Sequence, residues 1–131
     1  MRALCAHDRL PWRPVPARRA LLGLLRDRRA GRAWVIEAGG ASVGYAVLTL
    51  GYSLEYLGRD AFVDELYLEP RTRGLGIGQA ALRFLLRQAR RLGVRALHLE
   101  VERRNHRARR VYRRAGFVDH DRFLMTRFPR G

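Results

Sequence analysis

Apolar positions recur along the chain with a period that changes from helical to strand-like. In residues 17–29, leucines stand three or four positions apart among arginines, which is the spacing of an apolar helix face. Residues 33–38 and 42–49 are instead rich in β-branched and aromatic side chains, and Gly39-Gly40-Ala41 between them is typical of a hairpin turn. The pattern predicts an amphipathic helix followed by two antiparallel strands.

The second half of the chain alternates between strand and helix patterns. A third strand is predicted over 61–68, a helix over 79–92 and a fourth strand over 96–101. Asn105 then precedes a short segment with an apolar face that ends at Gly116, as expected for a capped helix, and 117–128 resembles a further strand. This order predicts an α/β fold.

The length of 131 residues fits a single domain over 1–131. Residues 1–16 carry Pro11, Pro14 and Pro16 among arginines, and we expect them to form an irregular lead-in. With one cysteine, Cys5, an internal disulfide is excluded, and the scattered histidines predict no metal site. Because no apolar run approaches the roughly 20 residues that a bilayer requires, we expect a cytoplasmic protein without a membrane partner.

All 27 basic residues are arginines, and 12 acids leave a formal net charge of +15. Such a surface attracts anions, including phosphorylated cofactors and nucleic acid. Seven arginines between positions 103 and 114 make RNA binding an alternative function. Arginine is abundant throughout the chain, however, and no aromatic base-stacking module accompanies these seven, so nucleic acid is not the expected partner.

The most informative local feature is the sequence RTRGLGIGQ from Arg71 to Gln79, between a predicted strand and a predicted helix. Glycine lets the backbone approach a ligand, while the first amides of a helix lack partners and the helix dipole favours negative charge there. The turn therefore predicts a cradle for the pyrophosphate of a nucleotide-type cofactor. A dinucleotide-binding fold is disfavoured because hairpin strands precede the turn. A merely tight connection is the other alternative.

Three segments together resemble the GCN5-related N-acetyltransferase (GNAT) family. They are the strand sequence VDELYL at 63–68, the turn RGLGIG at 73–78, and Asn105 with Ala108, Tyr112, Gly116 and Phe117. The resemblance extends from about residue 33 to residue 128. It implies the GNAT fold, with a central mixed, mostly antiparallel sheet flanked by helices, and acetyl-CoA as co-substrate. Because family members begin with a strand and a longer helical section, we expect a shortened N-terminus here that lacks the usual first strand.

The resemblance also implies which residues hold acetyl-CoA. Its pyrophosphate should rest on the backbone amides of the turn, and its pantetheine arm should pair with the third strand as an added strand and contact Asn105. The turn residues are Arg73, Gly74, Leu75, Gly76, Ile77 and Gly78, and the strand residues are Leu66, Tyr67 and Leu68.

Transfer of acetyl from a thioester to an amine needs a base, a polarised carbonyl and an acid for the leaving thiolate. Tyr112 is the expected acid, with packing as its alternative role, because a phenol has a pKa of about 10. Glu65 is the favoured base and Asp64 the alternative, and both could instead be surface acids paired with arginines. Strict alternation predicts Glu65 on the face of Val63 and Tyr67, with Asp64 opposite, although a bulge would exchange their roles.

The acid pair resembles the Glu-Asp pair on the corresponding strand of diamine acetyltransferases, which suggests a small cationic amine as acceptor. Tyr52, Glu55 and Tyr56, in the predicted loop before the third strand, offer acid and aromatic groups for such a cation, or form a solvated loop. A protein or peptide acceptor and a non-catalytic CoA-binding domain are the alternatives. A homodimer is the alternative to a monomer.

Overall fold

A computed structural model describes residues 13–130 of the chain. The elements in this part are helix α1 (Pro14–Arg26), strands β1 (Gly31–Ala38), β2 (Ala41–Ser53) and β3 (Gly58–Leu68), helix α2 (Ile77–Arg91), strand β4 (Ala96–His98) and helix α3 (His106–Arg114). A short 3-10 turn, Pro70–Thr72, joins β3 to the glycine turn. None of the described helices is long and apolar enough to cross a bilayer.

Helix α1 begins earlier than the sequence pattern predicts. Pro14 and Pro16 lie in its first turn, where a missing backbone N–H costs nothing, and the first helical hydrogen bond runs from Ala17 N to Arg13 O at 3.0 Å. The prediction of an irregular lead-in was therefore wrong for residues 14–16. The expectations of a shortened N-terminus and an absent first strand fall on residues 1–12, which lie outside the described part.

The four strands form one sheet in the order β1-β2-β3-β4. β1, β2 and β3 pair antiparallel, and β4 pairs parallel to β3, which confirms the mixed, mostly antiparallel sheet. The hairpin between β1 and β2 turns through Gly39 and Gly40, both with positive φ (59° and 78°), the backbone that a two-residue turn between twisted strands requires.

Helix α2 covers one face of this sheet. Leu85 and Phe84 of α2 pack with Ala46 and Leu48 of β2, and the rings of Trp34 and Phe84 meet edge to face with centroids 5.3 Å apart. Burial of these apolar side chains holds α2, the helix after the glycine turn, against β1 and β2.

Two strand predictions were wrong at the C-terminal end. The fourth strand is limited to Ala96–His98, and no strand forms in 117–128. Beyond Phe117, the large apolar side chains of that segment are exposed, among them Phe123, Leu124 and Met125. β-Propensity reflects packing against neighbouring strands, and β4 leaves the sheet after three residues, so a strand at 117–128 has no partner in the described part.

Candidate active site

A β-bulge in β3 determines the directions of the two candidate acids. Val47 of β2 pairs with Glu65, but the next β2 residue, Leu48, pairs with Val63, so Asp64 is the additional residue. Val47 and Leu48 point to opposite faces of the sheet, and so do their partners. The prediction that Glu65 shares a face with Val63 was therefore wrong, because the bulge interrupts the alternation.

Burial also separates the two acids. Val63 packs into the core under α2, whereas Glu65 lies on the opposite face. Glu65 is half-buried, with one carboxylate oxygen inaccessible to solvent, while Asp64 is exposed at the bulge. Tyr67 lies on the Glu65 face, as predicted, and its ring packs against Tyr45 with centroids 5.8 Å apart. Glu65 is thus the acid held in an enclosed position.

The glycine turn has a backbone that other residues rarely adopt. Gly74 and Gly76 both have φ of 82°, in the left-handed region, and Gly76 is the N-cap of α2. No side chain caps this helix start. The first amides of α2 are therefore directed out of the turn, where an anion can accept hydrogen bonds from them.

Contacts at the end of β3 hold the turn in place. Thr72 is buried, and its Oγ1 donates to the Glu69 carbonyl at 2.7 Å. The Nε of Arg73 donates to the Leu68 carbonyl at 3.1 Å, and its guanidinium lies 5.7 Å from the centroid of the Tyr67 ring. These short-range bonds fix the turn relative to the strand.

Helix α3 lies beside the same turn. The Oδ1 of Asn105 accepts a hydrogen bond from Ala108 N at 3.2 Å and caps the helix, as predicted. From α2, Gln79 Nε2 donates to the Val111 carbonyl at 3.1 Å. Tyr112 is half-buried, with its ring 6.1 Å from that of Phe117 in an edge-on contact. The helix with Asn105 and Tyr112 is thereby attached to the start of α2.

The structure adds a cluster that the sequence analysis missed. His98, the last residue of β4, lies 3.2 Å from Asp60 through Nε2 and Oδ2, and both side chains are largely buried. The His98 ring also packs against Tyr56 and Phe62, with centroids 4.9 and 5.1 Å away. The parallel pairing of β3 with β4 brings His98 to Asp60 and Phe62. The one signal for this cluster in the sequence is that Asp60 and Phe62 stand two positions apart on a strand.

The three residues predicted to bind the amine lie in different surroundings. Tyr52 belongs to β2 and is 77% exposed. Glu55 accepts two hydrogen bonds from Arg122, at 2.9 and 2.5 Å, and these bonds hold the pKa of Glu55 below its ordinary value. Tyr56 packs in the His98 cluster, and its hydroxyl lies 3.5 Å from His120 Nε2.

In residues 13–130, no three His, Cys, Asp or Glu side chains are grouped as metal ligands would be. The region offers a backbone cradle at the glycine turn and a half-buried acid, Glu65. This arrangement suits binding of an anionic ligand next to a proton acceptor.

Several solved structures share this fold. An integron cassette protein from the mobile metagenome of Cole Harbour Salt Marsh is 43% identical, with a TM-score of 0.75 over 85% of this chain and 68% of that one. A transcriptional regulator from Bacillus halodurans is 24% identical, with a TM-score of 0.80 over 93% and 83%. A predicted acetyltransferase with acetyl-CoA, from Clostridium acetobutylicum, is 22% identical, with a TM-score of 0.77 over 96% and 83%.

At 24% and 22% identity, the latter two matches show a common fold. A comparison with curated proteins gave no significant match. The model of the acetyltransferase (GNAT) family matches residues 2–117, which include the bulged strand, the glycine turn and helix α3. With this match over most of its length, the chain belongs to the GNAT family of acetyltransferases.

Proposed function

We propose that the protein is an N-acetyltransferase that moves acetyl from acetyl-CoA directly to a primary amine of a small cationic molecule. The observation that carries the proposal is the divergence of β3 and β4. Their pairing ends at Phe62 and His98, so the β3 main chain from Val63 onward has no strand partner on that side among the described residues. This edge leads directly to the glycine turn.

The open edge and the turn together suit an extended ligand that ends in a diphosphate. The main chain of Leu66, Tyr67 and Leu68 can hydrogen-bond the pantetheine arm as an added strand. The amides of the turn, at Arg73, Gly74, Leu75, Gly76, Ile77 and Gly78, can receive the diphosphate. Because Asn105 Oδ1 is committed to the helix cap, its amide NH₂ is the group with which it contacts the arm.

Glu65 is our proposed base. It lies beyond the point where the strands diverge, on the face opposite α2, and its carboxylate is partly withdrawn from solvent. There it can take the proton that an alkyl ammonium must lose before it attacks the thioester. Tyr112 donates a proton to the departing thiolate, and a strand amide near Leu66 polarises the carbonyl. Asp64, exposed at the bulge, attracts the cationic amine.

The acceptor class is inferred from this charge and from the aromatic cluster. Glu65 and Asp60 are acids on a strand whose surroundings include the rings of Tyr56 and Phe62, a combination that favours an ammonium group over an anion. A cytoplasmic location stays a prediction from the sequence.

The test is release of free thiol from acetyl-CoA in the presence of an amine panel that includes diamines, polyamines, amino acids and a peptide with a free N-terminus. We expect turnover with the diamines and polyamines. Tyr112→Phe should lower kcat and shift the alkaline limb of its pH profile. CoA binding without turnover on any amine would support a non-catalytic CoA-binding domain instead, and failure to bind CoA would refute the proposal.

A further inference from the structure

The side chain of Arg107 reaches from α3 onto the glycine turn. A Cβ placed on Gly74 would collide with Nη2 of this arginine, so the guanidinium occupies the space above the backbone of the turn. Gly76, with the same φ of 82°, has open space at the corresponding position. Gly74 therefore has two requirements, the left-handed backbone and room for the Arg107 guanidinium.

The charge on Arg107 stands in an unfavourable place for a cation. Arg107 is in the first turn of α3, which carries no acid, and the turn beneath it opens α2. Both helix starts have the positive end of the dipole, which disfavours a nearby cation and favours an anion. The position becomes favourable when an anion lies between the guanidinium and the two helix starts.

Three arginines near Arg107 have acidic partners. Arg109 and Arg113 both reach Asp119, at 3.5 and 2.7 Å, and Arg71 reaches Glu69 at 2.6 Å. In residues 13–130, no carboxylate lies within ion-pair distance of Arg107. Unlike Arg71, Arg109 and Arg113, Arg107 thus has no carboxylate partner that would compete with a ligand for its charge.

We infer that Arg107 is a cofactor-binding residue that neutralises the diphosphate of CoA on the glycine turn, an inference that rests on the proposed function. The turn amides set the direction of the phosphates, and the planar guanidinium can bond two phosphate oxygens at once. Arg73 is oriented differently, because its Nε donates to the Leu68 carbonyl and its guanidinium lies over the Tyr67 ring.

Binding of three ligands to three proteins tests this assignment. The ligands are CoA, dephospho-CoA, which lacks the 3′-phosphate, and pantetheine, which lacks the diphosphate as well. The proteins are the wild type, Arg107→Ala and Arg110→Ala. Arg110→Ala is the matched control, because it removes the same charge from an exposed position of the same helix.

We expect Arg107→Ala to weaken CoA and dephospho-CoA equally, by about 10- to 100-fold, the effect of losing hydrogen bonds to a charged group. Its pantetheine affinity should match that of the wild type, which also shows that the variant is folded. Arg110→Ala should stay within about twofold of the wild type for all three ligands.

Three results would overturn the inference. If Arg107→Ala lowers the affinity for CoA but not for dephospho-CoA, the guanidinium binds the 3′-phosphate. If Arg107→Ala and Arg110→Ala lose the same affinity, only the general positive field of the protein contributes. If the wild-type protein binds none of the ligands, the proposed function itself is refuted. If Arg107→Ala binds CoA with normal affinity, only the role of this residue is refuted.

Discussion

The proposed cofactor side, around the glycine turn, and the proposed acceptor side, around Glu55 and Tyr56, are built in different ways. Around the glycine turn, most of the bonds join residues close in sequence: Thr72 to Glu69, Arg73 to Leu68, and Asn105 to Ala108. The bond from Gln79 to Val111, 32 positions apart, is the exception among the hydrogen bonds described above. On the acceptor side, the pair Tyr56–His120 spans 64 positions and the pair Glu55–Arg122 spans 67. The turn and the helix cap are thus largely encoded in short motifs, whereas the contacts of Glu55 and Tyr56 depend on how distant segments pack.

The largest expected effect concerns the acid that connects the two sides. Glu65→Gln should lower kcat about 100-fold or more, because it removes a general base without changing the size of the side chain. Asp64→Asn, a change of the same kind at the adjacent exposed position, should mainly raise the KM for the amine. Steady-state kinetics with the best amine distinguishes the two, and a reversed order of effects would assign the base to Asp64.

Alanine substitutions at two glycines distinguish an effect on cofactor binding from an effect on backbone strain. Gly76 and Gly40 have φ of 82° and 78°, and at both an added Cβ meets no atom within 4 Å. Alanine at either position should lower the free energy of unfolding by about 1 kcal/mol. Only Gly76→Ala should also weaken CoA, by about tenfold, because its methyl group enters the proposed cradle. Thermal unfolding and calorimetric titration measure the two effects; equal CoA affinities would place the diphosphate elsewhere.

A smaller effect is expected on the acceptor side at the His98 cluster. His98→Ala removes the contact with Asp60 and two ring contacts, so the KM for the amine should rise about threefold to tenfold while the affinity for CoA stays constant. His120→Ala, at the rim of the cluster, serves as the control with a weaker effect. A loss of CoA affinity in His98→Ala would show that the two sides are not independent.

The smallest effect is the attachment of the C-terminal segment by Arg122 to Glu55. The hydrogen bonds from Arg122 lower the pKa of Glu55 below its ordinary value of 4.5. The pair therefore stabilises the fold fully at pH values above 4.5. This contribution is lost as the pH falls below 4.5 and through the lower pKa of the folded state. Limited proteolysis after Arg127 should therefore accelerate in acid relative to an internal standard. Arg122→Gln should be cleaved at the faster rate already at neutral pH; an unchanged rate would show that other contacts hold the segment.

Much of the cofactor side was predictable because it depends on local conformation. A left-handed turn favours glycine, and Gly74 and Gly76 adopt this backbone. A capping side chain stabilises a helix start, and Asn105 provides one for α3. The hairpin at Gly39 and Gly40 was predictable for the same reason.

The acceptor side was not predictable from periodicity. Alternation assigned Glu65 to the face of Val63, but the pairing with β2 inserts Asp64 as a bulge and reverses this. Residues 117–128 have the composition of a strand, but no strand of the described residues pairs with them. The contact of Glu55 with Arg122, 67 positions away, also had no signal in the sequence.

The amino-acid sequence determined the sheet type, the turn and the capped helix of this protein, because backbone preferences and capping act within a few residues. The tertiary structure decided the face on which Glu65 lies, the end of β3–β4 pairing at His98, and the contact of Arg107 with Gly74. These depend on strand register and on side chains from separate elements, and the energies of such contacts arise only when the chain has folded.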